Sequence, residues 1–203
     1  MGLFGSLFGK KESKPIVNMA EGDSPKELYL RYLPLFDNPK EVHAYYCKLF
    51  KLPVGQTKFY FMSMPDPGLL DNGFGAVCIC NDGNIYSYEY GYENGSVANG
   101  RLICVRMNDI VNLGRTDQSL IGCLIRGKTA FEYPIATYII TLNDNSAREL
   151  TLDAYGENSD SQRFLNCLLT YAKSNRPTDD AAKAELEKAM FAAGGIDPDT
   201  LYC

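Results

Sequence analysis

The spacing of apolar residues changes period twice along this chain. Between residues 24 and 52 they recur at helical spacing, from 57 to 154 they form short aromatic and β-branched runs, and from 159 helical spacing returns. Two early stretches carry the same helix-opening chemistry. In Ser24-Pro25-Lys26-Glu27 the serine can cap, the proline suits the first turn and the glutamate can close a capping box. Asn38-Pro39-Lys40-Glu41 repeats the arrangement. Pro34 ends the first helix and Pro53 stops the second at about Leu52, so residues 24–52 predict a helical hairpin.

Seven strand candidates follow: TKFYFMSM (57–64), FGAVCIC (74–80), NIYSYEYG (84–91), RLICVRM (101–107), SLIGCLIRG (119–127), ATYIITLN (136–143) and ARELTLDA (147–154). Asn81-Asp82-Gly83 and Asp144-Asn145-Ser146 supply tight turns. Ser159 with Gln162 then opens an amphipathic helix bearing Phe164, Leu165, Leu168, Leu169, Tyr171 and Ala172 at helical spacing. After the linker SNRPT a C-terminal helical appendage, residues 178–203, is expected. Asp179 and Asp180 lie in its first turn, Leu186, Met190 and Ala193 form its stripe, and Gly194-Gly195 end it.

Seven consecutive strands closed by one helix resemble the pleckstrin-homology-like (PH-like) fold, including its bacterial versions, over about residues 57–173. The segments ICVRMNDIVNLGR (103–115) and ITLNDNSARELTLDA (140–154) are the most similar to bacterial members, and the element order carries the resemblance. It implies an α+β fold: a seven-stranded antiparallel β-sandwich or barrel capped by a C-terminal helix, spanning 57–175 and preceded by the hairpin. In lipid-binding members the loop between the first two strands bears Lys and Arg. The matching loop here, PDPGLLDNG (65–73), has acids and no base, with Lys58 alone in the preceding strand. Phosphoinositide headgroup recognition is therefore not expected.

Composition narrows the function classes. At 45% hydrophobic and 22% charged residues the chain is ordinary globular protein. No apolar run approaches the roughly 20 residues of a spanning helix. The start MGLFGSLFGKKE has neither a basic region ahead of its apolar residues nor a small-residue cleavage site, so a secretory leader is not expected. Seven cysteines, an odd number without zinc-ribbon spacing, suit reduced thiols used as small hydrophobes in a cytoplasmic protein. Cys78 and Cys80 share a strand face, which is poor geometry for a disulfide. The net charge of −5, with local basic excess only at Lys10, Lys11 and Lys14, argues against nucleic acid as a partner.

Candidate chemistry is sparse. Residues Gly122 to Thr129, GCLIRGKT, satisfy G-x-x-x-x-G-K-[ST], but a phosphate loop follows a buried strand and opens a helix. The apolar CLIR and the succeeding FEYPIATYIITLN read as strand, so a chance match is expected. His43, the only histidine, and Cys47 lie one helical turn apart and lack the further ligands that a metal needs. No nucleophile elbow occurs. No catalytic residue, cofactor or metal site is expected. Tyr86, Tyr88, Tyr90 and Tyr92 alternate along one strand face, as an interaction platform or as the packed inner face of a sandwich.

Residues 1–14 form an apolar and basic N-terminal segment. Leu3, Phe4, Leu7 and Phe8 fall on one helical arc followed by Lys10 and Lys11, which suits a peptide docking on a membrane surface or protein groove. Met1-Gly2 with Ser6 matches a myristoylation acceptor where a eukaryotic transferase is present. The expectation is a non-enzymatic interaction module that binds a protein or peptide at a sheet edge or a groove beside the helix. The alternatives are a nucleotide-dependent enzyme using residues 122–129 and a peripheral membrane protein anchored by residues 2–11.

Overall fold

The structure, a computed structural model, describes residues 17–18, 38–63, 74–93, 96–121, 132–174 and 177–202. The first expected helix (24–33), the docking peptide with Leu3, Phe4, Leu7, Phe8, Lys10 and Lys11, the 65–73 loop and residues 122–129 lie outside them.

The fold is α+β, with two antiparallel sheets and several helices. One sheet comprises β1 (Val17–Asn18), β2 (Phe59–Met62), β3 (Phe74–Cys80), β4 (Asn84–Glu93) and β5 (Ser96–Arg106), in the order β1-β5-β4-β3-β2. The other is the meander β6 (Ile110–Ile121), β7 (Glu132–Leu142) and β8 (Ala147–Asp153). The sheets do not close into a barrel among the described residues. The helices are α1 (Pro39–Phe50), α2 (Asp160–Lys173), α3 (Asp180–Gly194) and α4 (Pro198–Tyr202).

From Ala76 to Cys80 β3 is buried on both faces, which is why this run is continuously apolar instead of alternating. Ala76, Cys78 and Cys80 face α1, whose Val42, Tyr45, Tyr46, Leu49 and Phe50 recur at helical spacing. Val77 and Ile79 point the other way, into a core shared with Ala136, Tyr138, Ile140, Leu150 and Leu152 of the second sheet. From α2, Phe164 fills the space between the sheets, its ring 5.6 Å from Phe61 and 5.2 Å from Tyr138.

Local chemistry fixes the element ends. Asn38 Oδ1 accepts from Lys40 N at 3.1 Å, Ser159 Oγ from Gln162 N at 3.3 Å, and Asp179 Oδ1 from Ala182 N at 2.8 Å. Asp179 is thus the cap of α3, ahead of its first turn. Lys51 in left-handed conformation ends α1 at Phe50, slightly before the expected Leu52. Gly83 (φ +81°) and Asn145 (φ 63°) turn the two tight hairpins.

The fifth strand differs from expectation. It begins at Ile110, nine residues before the expected start at 119, and runs through GRTDQS to Ile121, with residues 122–127 outside the described set. Polar Arg115 to Ser119 are exposed, yet each pairs with a β7 residue from Tyr138 to Pro134. The long β7 partner imposes extended structure that local propensity does not suggest.

Candidate functional site

An open cleft of about 700 Å³ lies where the C-terminal helices return to the sheet. Two stripes on α3 create it. Leu186, Met190 and Ala193, the stripe read from the sequence, pack toward the core. Ala184, Glu187, Lys188, Phe191 and Ala192, at i, i+3, i+4, i+7 and i+8, line the cleft instead. Gly195 (φ +68°) ends α3 in a left-handed cap, and Asp197 Oδ1 accepts from Asp199 N at 2.9 Å to open α4. Ile196 and Pro198 form the opposite wall and Tyr202 closes the floor.

The floor is held firmly. The ring of Phe191, itself buried, stands 5.1 Å from Tyr60 and 6.0 Å from Tyr202. Tyr202 Oη accepts from Phe59 N at 2.5 Å, capping the outer edge of β2, and burial pushes its phenol above the ordinary range. At the rim the Lys58 ammonium pairs with Glu187, with Lys188 and Asp199 nearby. Arg163 secures the other side of α3, donating through Nη1 to Gly194 O at 3.0 Å and pairing with the nearly buried Asp160.

The positions singled out from the sequence are dispersed. Tyr86 is buried, its ring 5.9 Å from Phe50 and its hydroxyl donating to Asp82 Oδ2 at 2.7 Å, so it belongs to the packing under α1. The side chains of Tyr88, Tyr90 and Tyr92 lie outside the described set. Their backbones run along β4, with Asn99 and Gly100 of β5 bulged opposite Tyr90.

His43 and Cys47 do meet. The buried imidazole donates through Nε2 to Thr57 O at 2.9 Å and lies 3.6 Å from Cys47 Sγ, packed on Phe59 and Tyr202. Cys78 and Cys80 share a face, with their sulfurs 3.7 Å apart. Burial pushes the Cys47 thiol up to about 12 and Cys78 well above its ordinary value. Among the described residues no three His, Cys, Asp or Glu side chains converge for a metal ion.

The GCLIRGKT segment joins β6 to β7, whose ends pair antiparallel at Ile121 and Glu132. Strand resumes at Glu132, three residues after the motif's last residue, where a phosphate loop would be opening a helix. Among the described residues no helix is long and apolar enough to cross a membrane.

Comparisons with protein-family models, curated proteins and solved structures each returned no match. The class is therefore stated from the fold alone: an α+β protein of two antiparallel sheets with an apolar cleft beside its C-terminal helices.

Proposed function

We propose that this chain is a non-enzymatic adaptor built on a PH-like sandwich, and that the α3–α4 cleft receives a short apolar segment of a partner protein. The PH-like reading is supported by β2–β5 in one sheet, β6–β8 in the other, and α2 following β8 directly to lodge Phe164 between them. The cleft carries the functional reading. Its volume is in the range of about 300–1,000 Å³ typical of ligand sites, and its lining is mostly apolar. Rim charges of both signs suit a peptide with an apolar anchor between charged flanks, because they add orientation more than affinity. Nucleotide chemistry at residues 122–129 is disfavoured by the antiparallel pairing of Ile121 with Glu132 on either side of them.

The test is selection from a random displayed-peptide library on the full chain and on an Ala192→Trp variant. Ala192 is exposed at the cleft, so the indole fills it without entering the core. Peptides with an apolar anchor should enrich on the parent and be lost on the variant. No enrichment, or equal enrichment on both proteins, would refute the reading.

A further inference from the structure

The edge of the second sheet is a separate matter from the cleft. Among the described residues β6 pairs with β7 alone, so one side of its twelve-residue backbone is unpaired. A long open edge is a template for another strand. Its side chains are exposed from Arg115 to Ser119, and Val111 is 63% exposed. Two charges mark its centre. Arg115 binds Asp117 along the strand, Nε at 2.8 Å and Nη2 at 2.7 Å from Oδ1, flanking Thr116.

We propose that two copies of this chain join through β6, antiparallel about a twofold axis at Thr116, forming one six-stranded sheet. A twofold axis normal to the sheet keeps each residue on its own face, so opposed positions must be both odd or both even. Centring on Thr116 puts Arg115 opposite Asp117 of the second copy, and Asp117 opposite its Arg115. The four charges then alternate around the axis. Shifting the axis to either neighbouring residue sets Arg115 against Arg115 or Asp117 against Asp117. Directly opposed like charges destabilise a strand pair, so the same two residues that favour this register oppose the adjacent ones.

The outer face agrees. Gly114 lies beside Ile139, which is 41% exposed, and a Cβ on Gly114 would stand 3.7 Å from the Ile139 Cβ. The proposed register sets Gln118 of the second copy opposite Gly114, and its long side chain can reach over the glycine to cover Ile139. At the axis two threonines meet, a favourable cross-strand pair.

Sedimentation equilibrium of the full chain tests this. A strand pair alone makes a small interface, so association in the micromolar range is expected, with mass rising from 22.6 kDa toward twice that value. Asp117→Arg and Arg115→Asp should each weaken association about tenfold or more, and the Arg115→Asp/Asp117→Arg double variant should recover it. Melting curves confirm that the variants remain folded. The proposal is overturned by a parent that stays monomeric up to about 0.5 mM. It is equally overturned if single charge reversals have no effect, or if the double variant stays as weak as the singles.

Discussion

Replacing Gly194 by alanine tests how tightly α3 is seated on β2. In a helix an alanine normally stabilises by about 1 kcal/mol relative to glycine. Here the added Cβ would stand 1.7 Å from Tyr60 O, 2.8 Å from Tyr60 C and 3.1 Å from Cys167 Sγ. Backbone is the obstacle, so rotamer changes cannot relieve it and α3 must lift from the sheet. The helix buries Met190 (1% exposed) and Phe191 (6%) along that contact. Uncovering them costs roughly 1.5–3 kcal/mol each, and full exposure of both, less the propensity gain, leaves a net loss of about 2–5 kcal/mol. For a chain of this size that lowers Tm by roughly 4–20 °C. Gly55→Ala is the control, since nothing lies within 4 Å of its Cβ position. Thermal unfolding followed by circular dichroism reads both. A Gly194→Ala protein melting with the control would show that the α3–β2 contact is looser than described.

Two further outcomes follow from buried polar groups. Tyr46 donates its hydroxyl to Ser63 O and lies 3.1 Å from Ser63 Oγ, which itself accepts from Val77 N at 2.9 Å. Tyr46→Phe should lower stability by about 1–2 kcal/mol, seen as a shifted urea midpoint at constant slope, and an unmoved midpoint would contradict this. Burial raises the Cys47 and Cys167 thiols from 9.0 to about 12, so both stay protonated in the fold while the unfolded chain ionises. Their contribution is complete below pH 9 and is lost as pH rises toward 12, by up to about 1.4 kcal/mol per pH unit for each thiol. Tm should therefore fall between pH 9 and 10, where the buried tyrosines and the Cys78 and Cys104 thiols contribute as well, and Cys47→Ala/Cys167→Ala should make that slope shallower.

Elements announced by local chemistry were legible in the sequence. Asn38 and Ser159 open α1 and α2 where side-chain caps satisfy free N–H groups, Asp179 opens α3 one position before the expected first turn, and Asn81-Asp82-Gly83 turns the β3–β4 hairpin. The fifth strand was not, because Arg115 to Ser119 are polar and their extended form comes from pairing with a distant partner. The cleft was also hidden. Its five-residue α4 is too short to show a period, and Glu187 and Lys188 interrupt the apolar row that would mark the second face of α3. Ala184, Phe191, Ala192 and Ile196 are the signal that was present. They become a surface only once Tyr202 returns to Phe59.

That return has a consequence for biosynthesis. Tyr202 and Phe59 are 143 positions apart. A ribosome adding about 5–20 residues per second emits β2 some 7–30 s before the tyrosine that covers its outer edge. Throughout that interval Phe59 N lacks the partner that occupies it in the finished fold. Nascent chains on a polysome carry the same uncovered strand side by side, so cotranslational chaperone demand should concentrate on β2 and end with emergence of the last helix.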